Sequence, residues 1–355
     1  MKHVLNLIAK NLTSFVIVTF CFVITSCENT QVEQTRIITV EKQKKQRLFM
    51  LNSAQAQDLN ILILPEAYTK EEMNDFIADA SRLYSVLRYT SPYSYLMDKL
   101  NIWYAAGYSS ESNQLGSKKT AFGSGTLGDR VISIEQDSVV NAVNEAKLVA
   151  ANTIVIMLVN TDEYIGYCTY YNGVRPTMAV CAARDNYFAT TIIHELGHAI
   201  GLLADEYDDN KAATISTIES LKRSHEAGHD WNVTSSTEDA AWKMIMDDEA
   251  YASEETGFYV GANYCSSGMF RSTKNSAMRS HQPNYNTISR LRIYQQIMKR
   301  HTGKEPSYEQ FRTDDLSNPA IEWDWKYANQ NRRSATRATN ISYDDKQYSH
   351  SCIVE

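Results

Sequence analysis

The stretch "TTIIHELGHAIGLLADEY", residues 190–207, constrains this chain more than any other. Two histidines stand four apart, a glutamate follows the first, and two glycines interrupt an otherwise helical run. On a helix of about 100° per residue with His194 at zero, His198 falls near about 40° and Gly201 near about −20°. Ile192, Leu196, Ala199 and Leu203 gather on the opposite side. One face therefore suits a core, and the other carries two imidazoles beside Gly197 and Gly201, where nothing protrudes. Packing alone does not call for that second face. A metal ion does. Side chains at i and i+4 are neighbours, roughly 5–6 Å apart at Cβ, so two imidazole nitrogens can share one zinc at about 2.0–2.1 Å. Glu195 then stands beside the ion, where it can take a proton from water.

A zinc peptidase site keeps three protein ligands and one open position. In the longer pattern H-E-x-x-H-x-x-G-x-x-H the third ligand is a histidine. Gly201 matches the glycine of that pattern, but Ala204 occupies the histidine position. Asp205 and Glu206 follow, and a carboxylate oxygen is an acceptable zinc ligand. With Gly201 letting the chain turn, Asp205 is the first candidate. Glu206 is the second, and a distant residue such as His225, His229 or His281 is the third.

The remaining sequence sets the context. The 355 residues carry a formal charge of −7, which argues against a nucleic-acid partner, since that needs a basic face. Lys2 and Lys10 precede an apolar run at residues 15–24. The run is short for a membrane span and suits a signal segment. It ends at "ITSC", which resembles a bacterial lipoprotein cleavage box and implies that Cys27 carries a lipid at the cell envelope, periplasmic or on the cell surface. Residues 1–26 then read as a signal peptide and 27–56 as a polar tether containing one strand-like piece, "RIITV". Cys168, Cys181, Cys265 and Cys352 remain in an oxidising compartment. Cys168 and Cys181 flank a hairpin-like segment around Asn172-Gly173, so a 168–181 bridge is one expectation and free buried thiols the other.

Buried-strand runs at 59–65, 100–108 and 153–160 alternate with amphipathic helical patterns at 70–87 and 138–153. Thr69 is the expected N-cap of the first helix. This alternation predicts an α/β sheet packed by helices. Beyond Tyr207 the pattern weakens to a loosely helical stretch near 211–228 and a firmer helix at 287–301. A catalytic domain over 57–310 and a polar extension over 311–355 follow.

"HELGHAIGLLADEY" resembles the signature of the immunoglobulin-A peptidase family of zinc metallopeptidases. "NILILPEAYTKEEMNDF", "SPYSYLMDKLNIWYAAGYSSE", "TAFGSG", "VNTDEYIGYCTYYNG" and "GANYCSSGMFRSTKNSAMRS" are similar to successive family segments, over roughly residues 55–300. The resemblance implies a zincin-like α+β fold: a twisted mixed sheet, an active-site helix bearing the motif, a cleft under an edge strand, and a largely helical or irregular C-terminal part. It places Met278 in a turn beneath the zinc and matches Arg271 to a family arginine. Phe270, Ser272 and Ala277 depart from the family pattern around these positions.

The reading is a zinc-dependent endopeptidase acting on polypeptides. Glu195 is the base, and His194, His198 and Asp205 are the ligands. Tyr207 and Tyr264 each offer a hydroxyl to the developing oxyanion. The competing readings are a non-catalytic, zinc-containing surface adhesion lipoprotein and a cell-wall-directed zinc amidase. An intact Glu195 argues against the first, because a structural zinc is usually closed by four ligands and needs no base.

Overall fold

A computed structural model describes residues 35–38, 46–54, 58–112, 120–128, 131–170, 175–321 and 323. The signal segment, Cys27, Cys352 and the Asn172-Gly173 turn lie outside these residues. No helix among the described residues is long and apolar enough to cross a membrane.

Unbroken apolar runs make strands buried on both faces, and the centre of the main sheet follows that rule. The first strands are β1 (Thr35–Ile38), β2 (Gln46–Asn52) and β3 (Leu59–Glu66). Next come α1 (Met73–Tyr89), α2 (Tyr93–Leu96) and β4 (Leu100–Ala106). A short hairpin, β5 (Gly125–Gly128) with β6 (Val131–Ser133), leads to α3 (Gln136–Glu145). Then follow β7 (Thr153–Val159), β8 (Gly166–Thr169), β9 (Thr177–Ala182) and the motif helix α4 (Phe188–Ala199). Seven strands form one mixed sheet in the order β1-β2-β4-β3-β7-β9-β8. The four central strands run parallel, and β2 and β8 pair antiparallel to β4 and β9. β8 has a single neighbour in the sheet and forms its edge.

Alternate residues of β3 and β7 feed two cores. Leu59, Ile61, Ile63, Ile154, Ile156 and Leu158 meet α1 and α4 on one face. Leu62, Leu64, Val155, Met157 and Val159 meet α3 on the other. The expected mixed sheet with the motif helix against it is therefore present.

Thr69 lies before a single 3-10 turn, Lys70–Glu72, that leads into α1. Its backbone N–H donates to Glu72 Oε2 at 2.9 Å, the return half of a capping box.

After α4 come α5 (Ile215–Glu226), β10 (Val233–Thr234), α6 (Lys243–Met246), β11 (Tyr259–Ala262) and β12 (Cys265–Arg271). The chain continues with α7 (Thr287–Thr302) and α8 (Tyr308–Ser317). β10, β12 and β11 form a small separate sheet that the sequence pattern did not anticipate.

Two boundary expectations change, and of the two alternatives left open for the cysteines one is met. β2 falls inside the stretch read as a tether and pairs with β4, so the sheet begins before residue 57. α8 crosses the boundary set at 310 and buries Phe311 and Asp315. Cys168 and Cys181 are free thiols, as is Cys265. In the β8–β9 register, Cys168 stands opposite Ala179 and Cys181 opposite Gly166. The two cysteines are diagonal neighbours, a relation that spans roughly 7–8 Å and exceeds the reach of a disulfide.

Candidate metal centre

α4 packs on β8, β9 and α1, and Phe188, Ile192, Ile193, Leu196 and Ala199 are buried in the same core. Its other face lies against the segment 276–285. A Cβ on Gly197 would lie 2.3 Å from Met278 Sδ and 3.1 Å from a Tyr285 ring carbon. Glycine at 197 is thus what lets the Met278 turn pass directly under the helix.

Gly201 plays a different part from the one its sequence position suggests. It does not take the left-handed conformation; Leu202 does, with φ 54°. Leu202 N–H donates to His198 O and Leu203 N–H to Gly197 O, which closes the helix end. Gly201 is small for packing reasons, because a Cβ there would lie 2.8 Å from both Gly197 O and Ile293 Cγ1.

The turn returns the chain so that Asp205 faces the two imidazoles. Asp205 Oδ1 lies 3.0 Å from His194 Nε2 and 3.3 Å from His198 Nε2, and the two Nε2 atoms lie 3.1 Å apart. Among the described residues, His194, His198 and Asp205 form the one group of three or more metal-ligating side chains close enough to share an ion. Each Nδ1 faces a carbonyl oxygen: His194 that of Ala277 at 2.9 Å, His198 that of Leu203 at 2.6 Å. A carbonyl only accepts, so both Nδ1 atoms carry the proton and both Nε2 atoms turn a lone pair, or a second proton, toward the carboxylate.

Three donor atoms about 3 Å apart fit a small tetrahedral ion, whose ligands at about 2.0–2.1 Å stand roughly 3.3 Å from one another. The residues therefore fit a zinc ion by donor chemistry, spacing and the carbonyl bonds that fix the ring orientation.

Electrostatics follow the same layout. Burial pushes the Asp205 carboxyl up, yet hydrogen bonds to His194 and His198 hold it well below the usual carboxylate range. Burial alone would push His198 down, but the bond and charge of Asp205 outweigh it and raise it to about 9. A cation bound by these residues would take the place of the proton that Asp205 favours on His198. Burial raises Glu195, and the two histidines partly oppose that. Glu195 is 3% exposed, and its Oε2 has no hydrogen-bond partner. The edge strand lies directly over it: a Cβ on Gly166 would meet Glu195 Oε1 at 3.0 Å and the Thr191 methyl at 2.7 Å.

Glu206 points away from the centre. It is fully buried, accepts from Asn232 Nδ2 at 3.0 Å and Ser276 Oγ at 2.6 Å, and its backbone N–H donates to Met278 O at 2.9 Å. Asn232 also bonds both backbone groups of Ala204. Glu206 therefore ties the Asp205 segment to the Met278 turn and is not placed as a ligand.

Tyr207 stacks on the His194 ring with its hydroxyl 3.1 Å from Nε2, and Tyr264 OH donates to Asp205 Oδ2. Arg271 sits apart, with its guanidinium on the carbonyls of Val260, Gly261 and Lys274, where it clamps the β11–β12 turn. His225, His229 and His281 do not join the three-residue group. The sequence reading missed Gly166, Asn232 and Ser276. A glycine opening the strand at 166 was the one local signal for the first, and the other two gave none.

The model of the IgA peptidase M64 family matches residues 49–248, more than half of the chain. This chain is a member of the M64 family. The matched span holds β3, β7, the edge strand, α4 and all three converging ligand candidates, and it ends before the Met278 turn. No curated protein matches the chain. M64 enzymes are metallopeptidases, so the chain is a peptidase of the metal-using kind.

Proposed function

We propose that the chain is a zinc-dependent endopeptidase that cleaves polypeptides. The observation that carries this reading is the convergence of His194 Nε2, His198 Nε2 and Asp205 Oδ1 within 3.0–3.3 Å, beside a buried glutamate whose Oε2 has no partner. Bound by these three residues, zinc would supply Lewis acidity, polarising a peptide carbonyl and lowering the pKa of a water.

The chain's own residues do the rest. An extended peptide pairs with the open edge of β8 through backbone hydrogen bonds. That places it over Glu195, because Gly166 leaves no side chain between them. Glu195 accepts the proton of the attacking water and delivers it to the leaving amide nitrogen. Its raised pKa suits the second half of that task, since a more basic carboxylate holds the proton until the nitrogen takes it. Tyr207 and Tyr264 stand at the ligands, where either hydroxyl can donate to the carbonyl oxygen as it gains negative charge. The carbonyls of Ala277 and Leu203 keep both imidazoles aimed throughout.

The test is cleavage of casein or a mixed peptide library. A chelator is expected to abolish it, zinc to restore it, and Glu195→Gln to stay inactive while retaining bound metal. Chelator-insensitive cleavage, or an active Glu195→Gln protein, would sink the mechanism.

The same proposal places the enzyme at the cell envelope, held by a lipid on Cys27. Its support is the apolar run at 15–24 ending in "ITSC". Release of Cys27→Ser protein from the membrane fraction is the expected result, and unchanged fractionation would refute the anchor.

A further inference from the structure

Three rings from three separate segments meet beside Glu195. Tyr164 precedes β8, Tyr187 precedes α4, and His281 follows the Met278 turn. The Tyr187 and His281 rings stack at 3.9 Å and 19°. Tyr164 stands edge-on to both, 6.3 Å from Tyr187 and 5.7 Å from His281. The Tyr164 hydroxyl lies 3.6 Å from the point where a side chain at 166 would begin, and Glu195 Oε1 lies 3.0 Å from that same point. The cluster is therefore adjacent to the reacting carboxylate. Tyr164 also lies two residues before the edge strand, in line with a peptide paired to β8.

The fold leaves two of these rings open and half-buries the third, Tyr164. Tyr187 is 45% exposed and His281 is exposed. Large aromatic surface left open beside a catalytic cleft marks a binding surface. Its chemistry is apolar and flat rather than ionic. Burial lowers the His281 pKa, a direction that disfavours the charged imidazole. The adjacent Asp185 is buried, and its carboxylate accepts the Tyr187 amide at 3.0 Å. What the cluster offers outward is ring faces and edges, which an aromatic side chain meets by offset stacking or edge-to-face contact.

We propose that Tyr164, Tyr187 and His281 form a substrate subsite that takes an aromatic side chain next to the scissile bond. This deepens the peptidase reading above and rests on it.

The experiment maps cleavage sites of the full-length zinc-loaded protein in a randomised peptide library by mass spectrometry. It then measures kcat/KM for a phenylalanine peptide and its alanine counterpart at the enriched position. Phe, Tyr or Trp is expected within two residues of the cut. Tyr187→Ala should lower kcat/KM for the phenylalanine peptide about tenfold more than for the alanine peptide, the scale of one aromatic contact. Tyr187→Phe should keep the preference, which separates ring contact from loss of folding. Active enzyme without aromatic enrichment, enrichment for charged residues, or equal losses on both peptides would overturn the subsite and leave the peptidase reading standing. Absence of metal-dependent cleavage of any library peptide would overturn both.

Discussion

Among the described residues, two clusters of buried charge are built on opposite plans. Around Arg290, where α7 meets α8, every guanidinium nitrogen has an acceptor. Nε and NH2 bond Asp315 at 3.1 and 3.0 Å, while NH1 bonds Glu254 and the Tyr285 carbonyl, each at 2.9 Å. Tyr95 and Tyr251 donate to the same Asp315 at 2.9 and 3.1 Å. At the metal centre two imidazole nitrogens and a carboxylate converge on one point, and Glu195 keeps an oxygen without a partner. The first cluster is complete and holds the fold. The second converges on one point, where a proton on His198 or, in its place, a cation would hold the carboxylate and the imidazoles together. Both clusters are buried and charged, so what distinguishes this pair is saturation: the Arg290 cluster is complete, and Glu195 keeps an unpartnered oxygen.

Substitutions can break this contrast. The largest effect is expected at Glu195: replacement by Gln should lower kcat by about 10²–10⁴-fold, the span of a lost general base, with melting temperature and zinc content unchanged. At the saturated cluster the loss should fall on stability instead. Arg290→Met strands Asp315 and Glu254 and should cost about 3–5 kcal/mol in denaturant unfolding, with kcat per folded molecule nearly preserved. A large kcat loss there would refute the division.

Glu206→Ala lies between the two plans, since it removes a buried anchor of a ligand segment. Chelator competition should show zinc affinity weakened about 10–100-fold. Unchanged affinity would show that Asp205 needs no such support.

The smallest effect is in pH. Without metal, His198 titrates at about 9 in the folded protein and near about 6.5 unfolded. The folded state therefore holds a proton that the unfolded chain releases earlier. The stability this contributes is full below about pH 6.5 and is lost as pH rises through about 9. Thermal melts of metal-free protein should show that decline, and saturating zinc should flatten it. In activity, kcat/KM should fall on acidification at a midpoint above the ordinary glutamate range of about 4.3, because burial raises Glu195 and a base must be ionised to act.

Much of this was legible in the chain. β3 and β7 announce themselves as continuous apolar runs, and the period of α4 places His194, Glu195 and His198 without any coordinates. β2 was hidden because its polar ends merge with a charged neighbourhood. α8 was hidden because only Phe311 and Asp315 of its ten residues turn inward. Asp205 and Glu206 are equivalent carboxylates by sequence. What distinguishes them is Ser276 and Asn232, 70 and 26 residues away along the chain from Glu206, which no local pattern can reveal. Gly201 misled for the same reason: the pressure on it comes from Ile293 on another helix.

The opposite facing of two successive carboxylates has one more consequence. With Glu206 locked in the interior, Asp205 has little freedom to shift outward or to recruit further oxygens, so the opening it completes is narrow and stiff. A calcium ion asks for six to eight oxygens at about 2.3–2.6 Å, and a scaffold that cannot relax has no way to meet that demand. Discrimination among metals would then come from the rigidity of the loop as much as from the nitrogen donors themselves.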